Sequence, residues 1–377
     1  MQVSPVHGRG WEVPCSWLVS SRWSWPPRTQ KARKRTIKTQ RFEAWMGEGM
    51  AEQKGWLLLT NDDGIEAEGF RLLVKALHEA GYPLVVFAPS SNHSATGMRI
   101  NLMTPMNLRS REDLASTWSL DVHQTPAHLF ELDGTPCDTM IVALDGGLEH
   151  LVPGVRPQLV VSGVNLGPNL SQDAYHSGTM GAAREAGLYG VPAIAASFTS
   201  FDPEGMEAAV LATLEVVARA TKVLPVVANN MGRPQGKQDT GYFSAWPTPN
   251  NDDRWLANPE QHLLRAFQNG DLMLNINAPK EWNGGWQTTR LGVRWYRNAV
   301  HFGETETDAT ATFTIGAASV DHSPVVQGDC DAVEEGLASL SCLAVWPQSH
   351  PFAIDEDLLA HGLVETDDGW PRWLSQD

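Results

Sequence analysis

The stretch LLLTNDDGIEAEG at 57–69 decides the fold of this chain. Apolar residues run directly into an asparagine, two adjacent aspartates and a glycine, and FRLLVKAL at 70–77 then resumes the apolar pattern at helical spacing. This pattern predicts a buried strand, a sharp turn and an amphipathic helix, the opening βα unit of an α/β sheet. Ligands of open α/β sheets bind outside the carboxyl ends of the strands, so Asp62 and Asp63 are expected at a functional edge.

The paired aspartates allow two interpretations. Neighbouring carboxylates raise each other's pKa, so a structure that keeps both ionised is costly. A divalent cation removes the conflict, and hard oxygen ligands suit Mg²⁺, Mn²⁺ or Ca²⁺. Asn-Asp-Asp-Gly is also typical of an ordinary turn, because Asp and Gly favour turns. The tetrapeptide at 61–64 alone leaves a metal site and a simple turn as alternatives.

The composition limits the classes of protein to which the chain can belong. A chain of 377 residues with 42% apolar content has room for one large or two modest globular domains. It contains no apolar run of about 18 residues, so no membrane-spanning helix is expected. The four cysteines form no CxxC pair and no zinc spacing, which favours a reducing, cytoplasmic environment. The net charge of −16 argues against general nucleic-acid binding.

The first fifty residues differ from the rest of the chain. They hold nine Lys or Arg and three Asp or Glu, include KARKRTIK at 31–38, and show no apolar periodicity. A basic, acid-poor leader is typical of a transit peptide, and a translated upstream region with a mis-set start is the alternative. Met46 and Met50 both precede the first strand and are candidate starts. We predict that 1–50 is disordered and takes no part in catalysis.

Two further segments of the first half carry polar residues next to predicted strands. LVVFAP at 84–89 predicts a second buried strand, and the loop SSNHSATG at 90–97 follows its carboxyl end. Residues 99–133 have the character of weaker, partly polar strands. A helix is predicted from Thr135 or Pro136 to about Leu148.

The segment at 158–197 is the second informative stretch. It predicts a buried strand (LVVSGV), a long polar loop (NLGPNLSQDAYHSGT), a small-residue helix beginning near Gly178, and another strand (AIAAS). A Ser-Gly-Thr at a helix N-terminus presents free backbone N–H groups and two hydroxyls, which bind phosphate without Lys or Arg. The alternative is that Ser177 or Thr179 is only an N-cap.

The rest of the sequence predicts a helix that covers the sheet and a C-terminal extension. The predicted elements are a helix at 204–220, an insertion or long loop at 226–270, a strand at 272–279, hairpins at 286–322, a final strand pair at 333–347 and a short helix at 352–363. The predicted organisation is a Rossmann-like catalytic core at 51–225, the insertion at 226–270, and a segment at 271–377 that completes the core and carries an oligomerisation hairpin and helix. The fold class is therefore α/β, a doubly wound, mostly parallel sheet.

Taken together, these motifs resemble the SurE family of survival-protein nucleotidases over about residues 56–363. The matching motifs are TNDDG at 60–64, AP-x-x-x-x-S ending at Ser94, GTPCD at 134–138, VVSGVNLGPNL at 160–170, HSGTMGAA at 176–183, LNINAP at 274–279 and DAVEEG at 331–336. Several motifs in one order make the resemblance specific, whereas any one of them would be weak.

The resemblance implies a phosphohydrolase that uses one divalent metal ion per subunit, Mn²⁺ or Mg²⁺, with Ca²⁺ as a substitute in crystals. Its substrates are nucleoside 5'- and 3'-monophosphates and, in some members, short polyphosphate. The implied metal ligands are Asp62, Asp63, Ser94 and Asn165, and the implied phosphate-binding residues are Asn169, Ser177, Gly178 and Thr179. The family resemblance also implies a homodimer or homotetramer, often with exchanged C-terminal segments.

In that chemistry, Asp62 or Asp63 accepts a proton from the attacking water, and His176 is a candidate acid for the leaving alkoxide. Three departures bear on the resemblance: His176 replaces a frequent tyrosine, Glu68 replaces a usual proline, and 226–270 is longer than the compact form. A non-catalytic nucleotide-binding module is the alternative, although no GxGxxG and no phosphate-binding P-loop motif occurs. The chain also lacks the GxSxG nucleophile elbow of a serine hydrolase.

Overall fold

The structure is a computed structural model, and it describes residues 54–233, 241–243, 253–303, 311–316 and 319–375. The leader predicted at 1–50 lies outside these described residues, as does part of the segment 226–270. Among the residues that the structure describes, no helix combines the length and the apolar character needed to cross a membrane.

Most of the strands build one central sheet. The strands of the described chain are β1 (Trp56–Thr60), β2 (Leu84–Pro89), β3 (Leu108–Ser110), β4 (Ala127–Leu132), β5 (Pro157–Leu166), β6 (Ala193–Phe198), β7 (Leu272–Ala278), β8 (Trp286–Thr289), β9 (Val293–Arg297), β10 (Val300–Phe302), β11 (Phe313–Ile315), β12 (Ser319–Ser323) and β13 (Ala338–Ala344). Nine of them form a sheet in the order β3-β4-β2-β1-β5-β6-β7-β13-β8, and the remaining four form two antiparallel ribbons, β9 with β12 and β10 with β11.

The sheet is mostly parallel and reverses its winding beside β1. Only the β3–β4 and β7–β13 pairs are antiparallel. From β1 the chain builds outward through β2 and β4 in one direction and through β5, β6 and β7 in the other. The carboxyl ends of β1 and β5 therefore flank a topological switch point, where open α/β sheets bind ligands. This arrangement confirms the predicted doubly wound, Rossmann-like fold.

Helices cover both faces of the sheet. The α-helices of the described chain are α1 (Glu68–Glu79), α2 (Glu112–Thr117), α3 (Pro136–Val142), α4 (Leu148–Leu151), α5 (Asp173–His176), α6 (Gly178–Leu188), α7 (Glu207–Val223), α8 (Pro259–Gln268), α9 (Asp329–Glu334) and α10 (Glu356–His361). Helices α1 and α7 pack together on one face, and α3 and α6 pack together on the other. The C-terminal ribbons and the terminal helix α10 form the predicted extension.

The opening βα unit forms where the sequence predicts it. The three leucines at 57–59 are fully buried, as expected for a strand covered on both faces. Helix α1 then buries Phe70, Leu73, Val74 and Leu77 on a single stripe. Full burial of each such side chain contributes about 1.5–3 kcal/mol, so this stripe fixes the helix against the sheet.

The predicted loop at 226–270 contains a helix that the sequence reasoning missed. Asn258 caps α8 by accepting a hydrogen bond from the backbone N–H of Gln261 at 3.2 Å, and Pro259 stands in the first turn. Leu263 and Phe267, four residues apart, are fully buried. The Asn-Pro start and the spacing of these apolar residues were helix signals, which the polar composition of the surrounding segment concealed.

The strand pair predicted at 333–347 is wrong. Helix α9 occupies the start of that segment and ends before Gly336, which has a φ of +80°. One strand follows, β13, which pairs antiparallel with β7 and parallel with β8. Its neighbours are therefore distant in sequence, and local alternation could not distinguish this pairing from a hairpin.

Two other predictions need adjustment. The segment 99–133 contains the short helix α2 between strands β3 and β4. The helix predicted to run to about Leu148 ends as α3 at Val142, and a wider helical segment follows in which Asp145 and Gly146 have non-helical backbone angles. The hairpins predicted at 286–322 correspond to the two ribbons, although β8 joins the central sheet instead.

Candidate active site

The NDDG tetrapeptide forms a tight turn at the carboxyl end of β1. The Asn61 side-chain amide donates a hydrogen bond to the carbonyl of Gly64 at 2.8 Å, and Gly64 has a φ of +103° that favours glycine. The backbone N–H of Ile65 bonds to the carbonyl of Pro89 at the end of β2, 2.8 Å away. The turn interpretation is therefore correct for Asn61 and Gly64, and it leaves the roles of Asp62 and Asp63 open.

Asp62 is buried against the N-terminus of α6. The Thr179 hydroxyl donates to its Oδ1 at 2.5 Å, and the Thr179 backbone N–H also bonds to this carboxylate. A Cβ on Gly178 would lie 2.8 Å from the Asp62 Cβ, so glycine permits this close approach. Burial raises the pKa of Asp62 to about 6, against the opposing effect of the Thr179 hydrogen bond. The protein thus holds a carboxylate whose charge is poorly solvated.

Asp63 faces the loop after β2 and the end of β5. Its Oδ1 accepts from the Asn92 side-chain amide at 3.1 Å, and its Oδ2 accepts from the backbone N–H of Leu166 at 3.0 Å. Burial raises the pKa of Asp63, while these two hydrogen bonds lower it. Asp63 consequently ties together the two strand ends that flank the switch point.

Ser94 lies in a loop that is anchored to both aspartates. The backbone N–H of His93 bonds to the carbonyl of Asp62 at 2.6 Å, and the Ser94 N–H bonds to Asn92 Oδ1 at 2.9 Å. Further along, the Gly97 N–H bonds to the carbonyl of His176 at 2.8 Å. The loop 90–97 thus runs from the turn of β1 to the start of α6, with Ser94 exposed on it.

Asn165 stands at the end of β5, beside the strand of the paired aspartates. Its side-chain nitrogen donates to the carbonyl of Gly167 at 2.9 Å, which turns the amide oxygen away from that carbonyl. The side chain is 9% exposed. An amide oxygen at this position is a suitable ligand for a hard cation.

The Ser-Gly-Thr motif begins helix α6 as predicted. The Ser177 hydroxyl accepts a hydrogen bond from the backbone N–H of Met180 at 3.1 Å, so Ser177 is the N-cap. Ser177 is therefore an N-cap, its phosphate-binding role stays a prediction, and the Thr179 hydroxyl is directed at Asp62. Gly178 and Thr179 form the first turn, where backbone N–H groups and the helix dipole favour an anion.

Asn169 is held in a buried polar network. Its side-chain amide donates to the Ser197 hydroxyl at 2.8 Å, and its backbone N–H donates to Asn277 Oδ1 at 2.8 Å. Its carbonyl accepts from the Asn275 amide at 3.0 Å. Sequence reasoning missed Asn275 and Asn277, although LNINAP places the two asparagines on one face of β7. Asn169 thus fixes the 166–170 loop.

His176 is exposed at the end of α5, and its carbonyl, not its ring, makes the contact to Gly97. The proton-donor role of His176 stays a prediction.

Asp173 also helps to position the start of α6, and sequence reasoning missed it. Its carbonyl accepts from the Ser177 N–H at 3.0 Å, while its carboxylate accepts from the Tyr296 hydroxyl at 2.5 Å.

The oxygen donors suit a hard divalent cation. Among the described residues, no cluster of three or more His, Cys, Asp or Glu side chains is placed to hold a metal ion. A cation at Asp62 and Asp63 would therefore need hydroxyl or amide oxygens and water to complete its coordination, as Mg²⁺ and Mn²⁺ accept. The neighbouring carboxylates, Asp62 buried and Asp63 half-buried, fit such a cation because it would offset their charge.

The fold and this edge of the sheet define a doubly wound α/β protein with paired carboxylates opposite an anion-favouring helix N-terminus. A family model described as survival protein SurE matches residues 57–298. The chain belongs to the SurE family.

Similar proteins support the same assignment. The chain is 30% identical over 289 residues to the 5'-nucleotidase SurE of Anaeromyxobacter sp. (strain Fw109-5), which covers 76% of this chain and 89% of that protein. It is 42% identical over 145 residues to the 5'-nucleotidase SurE of Desulfitobacterium hafniense (strain DSM 10664 / DCB-2), covering 38% of this chain and 51% of that protein. The crystal structure of SurE protein from Aquifex aeolicus matches with a TM-score of 0.53 and 25% identity, over 77% of this chain and 94% of that one.

Proposed function

We propose that this protein is a 5'-nucleotidase, a divalent-metal-dependent phosphohydrolase that releases phosphate from nucleoside 5'-monophosphates. The observation that carries the proposal is the buried Asp62 carboxylate, hydrogen-bonded to Thr179 at the start of α6. A cation at Asp62 would therefore lie directly beside a phosphate at the N-terminus of α6. Membership of the SurE family and the names of the similar proteins support the nucleotide substrate.

The residues of the chain divide into two groups in this proposal. Asp62, Asp63, Ser94 and Asn165 would hold one Mn²⁺ or Mg²⁺ ion. When bound, such an ion polarises a phosphoryl oxygen and lowers the pKa of a coordinated water. Phosphoryl transfer otherwise requires mainly positioning and electrostatic stabilisation, so the protein needs no covalent nucleophile.

The phosphate would bind at the first turn of α6. The Thr179 hydroxyl and N–H bond to the Asp62 carboxylate in this structure, and they would become available to a phosphate oxygen once a cation takes up that carboxylate. Together with the Gly178 N–H, such donors would stabilise charge that develops on the equatorial oxygens. Ser177 orients this turn as its N-cap, and Asn169 holds the preceding loop in place. Asp62 or Asp63 accepts the proton of the attacking water, and His176 remains the candidate donor to the leaving alkoxide.

The test is phosphate release from AMP by the full chain, stripped of metal with a chelator and then supplied with Mn²⁺ or Mg²⁺. We expect no turnover after chelation and full recovery with metal. The alternative, a non-catalytic nucleotide-binding module, predicts that AMP raises the melting temperature while no phosphate appears. Turnover that survives complete chelation would contradict the metal-dependent mechanism.

Finer properties belong to the same proposal. We include 3'-monophosphates and short polyphosphate as further substrates, a closed homodimer or homotetramer, and a cytoplasmic location. The free thiols of Cys137, Cys330 and Cys342 support a reducing compartment. The exposed apolar side chains of the β10–β11 ribbon, Val300, Phe302, Phe313 and Ile315, support assembly through the C-terminal segment. The proposed division remains a core at 51–225, an insertion at 226–270 and a completing segment at 271–377.

A further inference from the structure

An exposed aromatic ring lies on the same edge of the sheet as the candidate active site. Phe201 follows β6, the strand next to β5, and is 77% exposed. Exposed phenylalanine side chains are ordinarily unremarkable when they stand alone on a surface. This one stands at the carboxyl end of the sheet, where ligands of this fold class bind.

The ring rests against the loop that directly follows the proposed metal ligand Asn165. A Cβ on Gly167 would lie 2.7 Å from Phe201 Cε1 and 3.2 Å from its Cδ1, so only glycine lets the ring approach this closely. Gly167 also has a φ of +126°, which excludes most other residues independently. The contact is made by one edge of the ring, and most of the remaining ring surface is open to solvent.

The loop that bears Phe201 is held in one conformation. The Asp202 N–H donates to the Ser200 hydroxyl at 3.0 Å, and the Glu204 N–H donates to Asp202 Oδ1 at 3.1 Å. The Lys280 ammonium bonds to Asp202 at 2.8 Å and to Glu204 at 3.0 Å. An aromatic side chain on such a loop is pre-positioned, which reduces the entropy lost when a ligand binds it.

The ring is within reach of a nucleotide bound at the aspartates. Asp63 Oδ2 is 3.0 Å from the Leu166 N–H nitrogen, and Gly167 is the next residue. Standard chain dimensions then put the nearest edge of the Phe201 ring at most about 13 Å from this carboxylate. A nucleoside monophosphate whose phosphate binds at α6 extends its sugar and base across such a distance.

We propose that Phe201 is a stacking platform for the base of the nucleoside monophosphate and therefore determines the preference for nucleotides over simpler phosphate esters. The inference rests on the proposed function and adds a substrate-contacting residue to it. Aromatic rings bind bases by stacking regardless of base identity, because every base has a π face. Purines offer the larger face and are expected to be preferred.

Tyr175 is the rival candidate, since it is 70% exposed and precedes the phosphate motif. Its phenol interacts electrostatically with Arg184, six residues into α6 from Gly178. Phe201 has no such competing polar partner to satisfy, because its side chain is wholly apolar.

The test compares AMP with ribose 5-phosphate, which has the same phosphate and sugar and lacks the base. Phe201→Ala is expected to raise the KM for AMP about tenfold or more, the scale of a lost base–aromatic stack. The kcat for AMP should stay within about twofold, because stacking acts equally in the ground and transition states. Both constants for ribose 5-phosphate should be unchanged, and Phe201→Trp should restore the KM for AMP.

The controls separate this inference from a structural effect and from the proposed function. Phe201→Ala should keep the wild-type melting temperature because the ring is mostly exposed, and Tyr175→Ala should leave the KM for AMP unchanged. An equal rise in KM for both substrates, an unchanged KM for AMP in Phe201→Ala, or the base-dependent effect in Tyr175→Ala instead would overturn the inference alone. If wild-type protein with Mn²⁺ released no phosphate from AMP, the proposed function would fail and this inference with it.

Discussion

Replacing Asp62 by asparagine separates a metal site from a simple turn, because the two interpretations predict opposite changes in stability and activity. Asp62 is 2% exposed, and its burial raises the pKa of the carboxyl to about 6. An unperturbed aspartate has a pKa of about 3.9. The folded protein without metal therefore binds this proton more tightly than the unfolded chain does.

The sign of the effect follows from that difference. The carboxylate carries no penalty below about pH 4, where it is protonated in both states, and the penalty grows as pH rises toward 6. Above that pH it amounts to about 3 kcal/mol, at about 1.4 kcal/mol per pH unit. Asp62→Asn keeps the shape and removes the charge, so at pH 8 the metal-free variant should be as stable as wild type or more stable.

The assay is thermal unfolding of both proteins at pH 8, with and without Mn²⁺, beside phosphate release from AMP. Saturation at one hundred times the dissociation constant stabilises a folded protein by about 2.7 kcal/mol. Wild-type protein should therefore gain several degrees with Mn²⁺, whereas Asp62→Asn should gain little and lose turnover by orders of magnitude. Equal Mn²⁺-induced shifts in the two proteins, together with retained turnover in the variant, would refute the reasoning.

Four further outcomes are expected. Thr179→Val should lower kcat/KM for AMP by about 10²-fold with the fold intact, because it removes a hydrogen-bond donor to the charge that develops on the phosphoryl oxygens. Thr179→Ser keeps a hydroxyl and should recover most of the lost kcat/KM. Burial is the main cause that raises the pKa of Glu185 to about 7, and the charge of the nearby Asp138 adds to it. Glu185→Gln should therefore stabilise the protein against urea by about 3 kcal/mol at pH 8 and hardly at pH 4. Light scattering should show a closed oligomer that Phe302→Asp weakens, since this side chain is 79% exposed on an apolar ribbon; a monomeric wild type would contradict this. A chain that starts at Met50 should keep the melting temperature and turnover of the full chain, and a large fall in either would show that the leader contributes.

The elements that the sequence predicted well are those whose signal is local. Leu57–Leu59 and the stripe of α1 are decided by apolar spacing within a few residues, and both are fully buried. The position of Asp62 and Asp63 follows from a general rule about parallel sheets, and the structure places both beside the switch point. Thr135 likewise caps α3, with the reciprocal bonds of a capping box to Asp138.

The elements that escaped prediction depend on partners far along the chain. Strand β13 pairs with β7 and β8, and its residue pattern alone does not specify either neighbour. Asn277 reaches Asn169 across 108 residues of sequence. No local pattern encodes such contacts, because they are decided by which strands lie side by side in the sheet. The capped helix α8 differs, since its Asn-Pro start was visible and was outweighed by the surrounding composition.

The same long-range contacts explain why the sequence motif around the proposed phosphate-binding turn extends well beyond residues 177–179. Ser177 starts α6, and the residues before it are tied down at two points. Asn169 is held by Asn275 and Asn277 of β7, and Asp173 is held by Tyr296 of the β9 ribbon. Because the Asp173 carbonyl in turn bonds to the Ser177 N–H, the first turn of α6 is fixed from the C-terminal half of the chain. Residues from both halves of the chain thus hold the proposed site in place, although Asp62 and Thr179 both come from the first half of the sequence.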